Sequence, residues 1–378
     1  MKYRKFGETS FSVSALGFGC MRFPTTGSSG DVDEPEAIRM VRHGIDSGIN
    51  YVDTAHGYHG GNSERVLGKA LQDGYRKKVR LATKLPIWDV KEAGDFDRLL
   101  GEQLDRLQTD CIDFYLLHNL QAPTWPKVRD LGVLDWLREV KAAGKIGEMG
   151  FSYHDDYDTF VEIIDANPDW VFCQIQYNYM NEEVQAGTRG LEYAASKGLA
   201  VIVMEPLMGG CLAQAPEPVK TVFDSASISR TPVDWALQWL WHKPEVALVL
   251  SGMSTMQQVE ENLASADTSG IGILSEEDLA TVARAREAYA GLSSVPCTKC
   301  GYCMPCPTGV DIPRNMWLHN ASTVFGGNQK GLSTAIYRGL PETKRAAACI
   351  ACGECEPKCP QSIPISEWMT KIDEAFRA

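Results

Sequence analysis

The stretch Asn50-Tyr51-Val52-Asp53-Thr54-Ala55-His56-Gly57-Tyr58 decides how the chain is read. It is a short apolar strand that breaks at once into a Gly-containing loop. A carboxylate ends the strand and a phenol follows five residues later. The same pattern recurs, and strands are expected at 15–20, 50–54, 79–84, 111–118, 146–152, 172–177, 200–205 and 247–251. Helical patterns fall among them at 34–47, 63–71, 96–106, 134–143, 157–165, 187–196, 232–241 and 256–265. Several close on glycine, as in Ser47-Gly48, Ala143-Gly144 and Lys197-Gly198, which suits a left-handed helix cap. Residues 1–14 predict a hairpin turning at Gly7-Glu8-Thr9. Eight alternating strand–helix units predict a parallel (β/α)8 barrel, with a doubly wound open sheet as the alternative. Eight units suit closure, and no G-x-G-x-x-G follows the first strand.

The totals leave room for more than the barrel. At 378 residues the chain suits a large barrel plus a smaller unit. An apolar content of 44% supplies a sizeable core. A formal charge of −12 argues against nucleic acid as a partner, which calls for a basic surface. No apolar run approaches the roughly 18 residues of a spanning helix, and MKYRKFGETS lacks the apolar segment of a signal peptide. The expectation is a cytoplasmic protein with no membrane partner. A helix at 275–289, with Ser275 before Glu276-Glu277-Asp278, closes the barrel domain. Leu292-Ser293-Ser294-Val295-Pro296 then reads as a linker, dividing the chain into a barrel at 1–291 and a second domain at 292–378.

Four strands end on a reactive group: Asp53, Lys84, His118 and Ser152. Barrel strand ends converge on one face, where active sites are built, and Tyr58 reaches the same mouth. Each residue alone has a plain structural reading: a turn, a rim charge, a core histidine, a loop aromatic. Together they form a proton-transfer set. A carbonyl receiving hydride becomes an alkoxide and needs a proton donor. Tyr58 is that candidate, with Lys84 expected to lower a phenol pKa that is ordinarily about 10. Asp53 would hold Lys84 charged, and His118 would hydrogen-bond and orient the substrate oxygen.

Asp53, Tyr58, Lys84 and His118 resemble, in order and spacing, the catalytic tetrad of the aldo/keto reductase family. The resemblance spans about residues 1–290, including Gly150-Phe151-Ser152, Gln174-Ile175-Gln176-Tyr177-Asn178 and Glu260-Glu261-Asn262. It implies a TIM barrel, NAD(P)H as hydride donor and a small carbonyl or alcohol substrate. It also implies that Ser152 and Gln174 bind the nicotinamide carboxamide and that Glu261 and Asn262 hold the adenine end. Glu205, Leu207, Gly209, Ser251 and Met253 complete the implied cofactor-binding set. Three positions depart from the family pattern. Met204-Glu205-Pro206 stands where a stacking Tyr is common, and Tyr153 where Asn often follows the serine. Ser251-Gly252-Met253-Ser254-Thr255-Met256-Gln257-Gln258 has no Arg or Lys to clamp a 2′-phosphate. The choice between NAD and NADP therefore stays open.

Of twelve cysteines, Cys20, Cys111, Cys173 and Cys211 are scattered through apolar runs and read as small buried hydrophobes. The other eight fall in two dense runs. Cys349-x2-Cys352-x2-Cys355-x3-Cys359-Pro360 has the bacterial ferredoxin spacing. Cys297-x2-Cys300-x2-Cys303-x2-Cys306-Pro307 is one residue short before its fourth cysteine. In two-cluster ferredoxins the fourth cysteine of each run ligates the other cluster. The expectation is thus one [4Fe–4S] on Cys297, Cys300, Cys303 and Cys359, and a second on Cys349, Cys352, Cys355 and Cys306. Zinc is the alternative, but its sites usually split into two separated CxxC pairs. Helix-like stretches at 315–322, 332–338 and 366–376 make this a small, mainly helical domain, similar to two-cluster ferredoxin modules.

A nicotinamide moves two electrons and a cluster moves one, so the halves do not exchange electrons efficiently without a flavin or a radical-stabilising substrate. Three readings follow. The barrel is a self-sufficient nicotinamide reductase with structural, sensing or relaying clusters. Alternatively, the clusters pass electrons from a ferredoxin or other redox partner to a bound flavin or to substrate. The third reading is a non-catalytic electron carrier or scaffold. The intact tetrad favours the first. The loops at 119–132 and 209–231 carry no decisive substrate motif, although Trp125 and Met208 are candidates to line an apolar pocket.

Overall fold

The computed structural model describes residues 1–27, 30–297, 301, 303–359 and 361–377. Cys300 lies outside the described residues. The chain divides into two compact units, Met1–Gly209 with Val233–Ser275, and Gly210–Pro232 with Glu276–Ala378.

The first unit opens with an antiparallel hairpin, β1 (Tyr3–Lys5) and β2 (Ser12–Ser14). Gly7 turns it at φ 55°, so close to the backbone of Ala200 and Gly198 that a Cβ would lie 2.8 Å from each. Eight parallel strands follow: β3 (Leu16–Gly19), β4 (Tyr51–Asp53), β5 (Arg80–Leu85), β6 (Ile112–Leu120), β7 (Ile146–Tyr153), β8 (Phe172–Gln176), β9 (Ala200–Met204) and β10 (Val246–Gly252). They close into a barrel in chain order, β10 pairing with β3. The expected barrel is the observed one, and the open sheet is excluded. Side chains alternate between the two faces of a strand, and one face fills the interior. Phe6, Tyr51, Ala82, Phe114, Leu116, Phe172, Ala200, Ile202, Leu248 and Leu250 form a continuous buried core there. The apolar layers plug the barrel beneath the strand ends, and the next inward positions are polar. That change of character places the mouth.

Helices α1 (Glu34–Asp46), α2 (Asn62–Ala70), α3 (Gly94–Leu107), α4 (Trp125–Asp130), α5 (Val133–Ala142), α6 (Tyr157–Asp165) and α7 (Gly187–Ser196) return the chain between strands. After them come α8 (Glu217–Asp224), α9 (Pro232–His242) and α10 (Met256–Asp267). Asp33, Asp156 and Thr255 cap α1, α6 and α10 by accepting from backbone N–H groups of the first turn. Two helices lie where only loops were expected. Both α4 and α8 begin with a proline in the first turn, where proline lacks nothing the helix needs. Trp125 is fully buried on α4 and serves packing. Cys20 and Cys173 are buried as expected, whereas Cys111, just before β6, and Cys211, in the connection between β9 and α8, are only partly so.

In the second unit α8 packs against α11 (Glu276–Gly291). Helices α12 (Ile312–Phe325), α13 (Gly327–Gly339) and α14 (Ile365–Arg377) surround a separate core that includes Val295, Val310, Met316, Leu318, Met369, Ile372 and Phe376. The described cysteines of the two runs lie in the loops before α12 and between α13 and α14. No helix among the described residues is long and apolar enough to cross a membrane.

Candidate active site

Asp53 ends β4 opposite Ala82, and Lys84 stands two residues further along the neighbouring β5, on the same face. Lys84 Nζ donates to Asp53 Oδ1 at 2.6 Å and to the Thr54 carbonyl at 2.7 Å. Both side chains are buried, Lys84 to 1% exposure. Tyr58 Oη stands 3.5 Å from the same Nζ. The chain reaches it through a turn in which His59, Gly60 and Gly61 all take positive φ, 52°, 63° and 93°. His118, near the end of β6, meets the Tyr58 ring edge-on, with centroids 6.0 Å apart and planes at 82°. The structure therefore brings all four tetrad candidates together.

Burial and charge set their protonation. Burial works against the Lys84 ammonium, yet the Asp53 carboxylate and the Tyr58 phenol outweigh it and hold Lys84 above its ordinary value. Burial likewise pushes the Asp53 carboxyl up, opposed by Lys84. At Tyr58 the expected lowering is reversed. Burial raises the phenol more than the nearby ammonium lowers it, and Asp53 adds to the rise. Lys84 pulls in the direction expected, and the Asp53 carboxylate opposes it. His118 is driven well below the ordinary imidazole value by burial, then by the charges of Lys84, His154 and His56. It is neutral near pH 7.

A polar network beneath the mouth fixes this end of β5. Gln103 of α3 reaches the Lys84 carbonyl at 2.9 Å and Glu64 Oε1 at 2.8 Å through Nε2. It accepts the Tyr115 hydroxyl at 2.7 Å, while Thr83 donates to Glu64 at 2.7 Å. All are buried, so each unmet polar group would cost of order 1–3 kcal/mol and the network holds one arrangement. No sequence signal marks Gln103 or Glu64 as part of the site beyond their helical positions. Trp88, 49% exposed with its ring 4.8 Å from that of His118, was also passed over. His154, whose charge acts on His118, could have been found by counting two residues on from Ser152, just past the end of β7.

The remaining predicted cofactor positions form a path across the barrel face. Ser152 and Gln174 are paired in register on β7 and β8. Ser152 Oγ accepts from Asn119 N at 2.8 Å, and Gln174 Nε2 lies 3.6 Å from Met204 Sδ. Gln174 Oε1 is buried with no hydrogen-bond partner among the described residues, as are Asp53 Oδ2 and His118 Nδ1. Glu205, Leu207 and Gly209 follow β9. The crowded rim pushes the Glu205 carboxyl up, and Arg22 opposes that rise. Ser251 and Met253 are buried around the end of β10, where Asn262 Nδ2 of α10 donates to Ser251 Oγ at 2.9 Å. Glu261 is exposed and accepts from Gln257 at 2.7 Å.

In the second unit the cysteines surround two cavities. One is lined by Cys306, Cys349, Cys352 and Cys355, with Cys303 also on its wall. The other is lined by Cys297, Cys303 and Cys359. The fourth cysteine of each run thus sits with the other run. Among the described residues no three His, Cys, Asp or Glu side chains are gathered closely enough for one metal ion. Thiols ringing a cavity suit a larger, thiolate-bound body. Burial works against the Cys306 thiolate, but the Thr308 hydroxyl and the N–H groups of Thr308, Val310 and Gly309 outweigh it and hold this thiol below its ordinary range.

A closed parallel barrel whose mouth holds a buried Lys–Asp pair, a phenol and a neutral imidazole is the setting of an oxidoreductase. Comparison with known proteins agrees: the aldo/keto reductase family model matches residues 15–287, and the chain belongs to that family. A 4Fe-4S dicluster domain model matches residues 296–363. L-galactose dehydrogenase of Arabidopsis thaliana is 31% identical over 287 residues, covering 70% of this chain and 88% of that protein. The aldo-keto reductase YhdN of Bacillus subtilis is 30% identical over 224 residues, 56% of this chain and 64% of that one. Among solved structures, the holo form of an aldo-keto reductase from Bacillus halodurans aligns with a TM-score of 0.64 at 27% identity. It covers 75% of this chain and 96% of that one.

Proposed function

We propose that the barrel interconverts a carbonyl and an alcohol by hydride transfer with a nicotinamide dinucleotide, and that Tyr58 is its general acid and base. The observation that carries this reading is the buried Lys84 ammonium, 2.6 Å from Asp53 and 3.5 Å from the Tyr58 hydroxyl. The dinucleotide, when bound, supplies or accepts the hydride. In reduction, Tyr58 Oη gives its proton to the substrate oxygen as negative charge develops there. Burial keeps that phenol protonated until the pH passes its ordinary value of about 10, the state an acid requires. Lys84 stabilises the phenolate left behind, and Asp53 keeps Lys84 charged. Neutral His118 orients the substrate oxygen without competing as a charged acid. Trp88 offers an aromatic wall beside it.

Ser152 and Gln174 suit the nicotinamide carboxamide, since the orphaned Gln174 Oε1 is an acceptor awaiting an N–H. Glu205, Leu207, Gly209, Ser251 and Met253 would carry the path onward to Glu261 and Asn262 at the adenine end. For the cysteines we propose two [4Fe–4S] clusters, one on Cys349, Cys352, Cys355 and Cys306, the other on Cys297, Cys300, Cys303 and Cys359. The barrel and cluster domains are taken as 1–291 and 292–378, a division between the two family matches. The dicluster match also favours a second reading, in which the clusters exchange electrons with a ferredoxin-like partner through a bound flavin. Cytoplasmic residence is part of the same proposal. Anaerobic purification with iron, sulfide and flavin quantification, followed by carbonyl-dependent oxidation of NADH and NADPH, separates the readings. Nicotinamide turnover without flavin supports the first, and bound flavin with electron-carrier dependence replaces it with the second.

A further inference from the structure

We propose that Arg22 is the cation that anchors a phosphate of the dinucleotide, an inference that rests on the nicotinamide reading above. The stretch that ends β10 and opens α10, residues 251–258, offers no Arg or Lys for this task. Arg22 arrives from elsewhere. It ends the single helical turn Cys20–Arg22 that follows β3, the strand paired with β10.

Three contacts set its position. Ser254 Oγ donates to the Arg22 carbonyl at 2.8 Å, tying this turn to the loop after β10. The Arg22 stem lies across Gly252, where a Cβ would come within 2.7 Å of Arg22 Cγ. Its guanidinium extends to the loop after β9, with Nη2 3.9 Å from where a Gly209 Cβ would be. The side chain is exposed and makes no hydrogen bond or ion pair among the described residues.

Arg22 faces a loop of left-handed backbone in which the Met208 N–H already donates to the Glu205 carbonyl at 3.0 Å. The loop after β9 takes left-handed backbone at Glu205, Met208 and Gly209, with φ of 53°, 52° and 69°. Such conformations gather backbone N–H groups into anion-binding concavities. A dinucleotide with its nicotinamide at β7 and β8 and its adenine at α10 must carry its phosphates over the ends of β9 and β10. Parallel barrels commonly hold phosphate at these last two strands. Guanidinium is the side chain best suited to grip it. Two phosphates share this chemistry, the pyrophosphate bridge and the 2′-phosphate of NADP. The opposing structural role is charge neutralisation of Glu205, which feels the Arg22 charge.

The test is titration of the cluster-loaded protein, prepared anaerobically, with NADH and separately with NADPH, read by quenching of tryptophan fluorescence. Arg22→Met, Arg22→Lys and the double variant Arg22→Met/Glu205→Gln are compared with wild type. Loss of one charge-assisted contact predicts a Kd for Arg22→Met raised roughly ten- to a hundredfold. Arg22→Lys recovers part of the affinity, and the double variant recovers none beyond Arg22→Met. Equal losses with both dinucleotides assign the pyrophosphate, and loss confined to NADPH assigns the 2′-phosphate. Undiminished binding by Arg22→Met, or restoration in the double variant, overturns the anchor alone. Wild-type protein that binds neither dinucleotide overturns the nicotinamide reading and the anchor with it.

Discussion

The barrel mouth and the cysteine loops solve opposite problems. At the mouth, Asp53, Lys84, His118, Ser152 and Gln174 stand on strands whose pairing fixes them before any ligand arrives. The described cysteines of the two runs ride on loops, and Cys352 is exposed. Strands deliver geometry through backbone pairing, whereas those loops depend on what the thiolates hold. Where the group is preformed, a single substitution should change rate and leave the scaffold. Where it is assembled by a ligand, removing the ligand should cost structure.

The sharpest contrast comes from stripping iron. Chelation under reducing conditions is expected to abolish the thermal transition of α12–α14 while the barrel transition persists, because bound metal contributes folding free energy. Differential scanning calorimetry with circular dichroism checks this, and a single shared transition would break the contrast. Next in size, Tyr58→Phe should lower kcat/KM for carbonyl reduction by about 10²–10⁴, the usual worth of a positioned acid. Its iron content and dinucleotide affinity should equal those of wild type. A third variant probes the buried pair. Lys84→Met leaves the Asp53 carboxylate without its counter-charge, and denaturant unfolding should report a barrel less stable by about 3–5 kcal/mol.

The smallest effect concerns pH. His118 is neutral in the fold because its value is driven well below the ordinary one, while in the unfolded chain it titrates near about 6.5. The unfolded state therefore binds the proton first. The His118 contribution is fully present above about pH 6.5 and is lost as pH falls below it. Barrel Tm followed from pH 8 down to pH 5 should show that loss, and His118→Asn should flatten it.

Much of this was legible in the residues because barrel strands are short and punctuated. The apolar stretches ending on Asp53, Lys84 and His118 announced both strand and site, and all eight strands were placed within two residues at either end. Helices α4 and α8 were not, because Pro126 and Pro218 read as breakers although the first turn accepts them. The net acidity of Tyr58 lies beyond the sequence for another reason. Sequence spacing names the neighbouring ammonium but not the depth of burial, and burial set the sign. Arg22, Gln103 and Trp88 were invisible because each acts through partners distant in the chain. By contrast the cysteine spacing carried its own geometry, so Cys306 and Cys359 could be expected beside the opposite run.

One measurement addresses the hydride claim directly: a single turnover with dinucleotide deuterated at C4 of the reduced ring, under strict exclusion of oxygen, with mass analysis of the alcohol. Hydride chemistry at Tyr58 predicts deuterium on the former carbonyl carbon, in protein free of flavin and without any added electron carrier. Alcohol formed with solvent hydrogen at that carbon, and only when an electron carrier reduces the clusters, would contradict it.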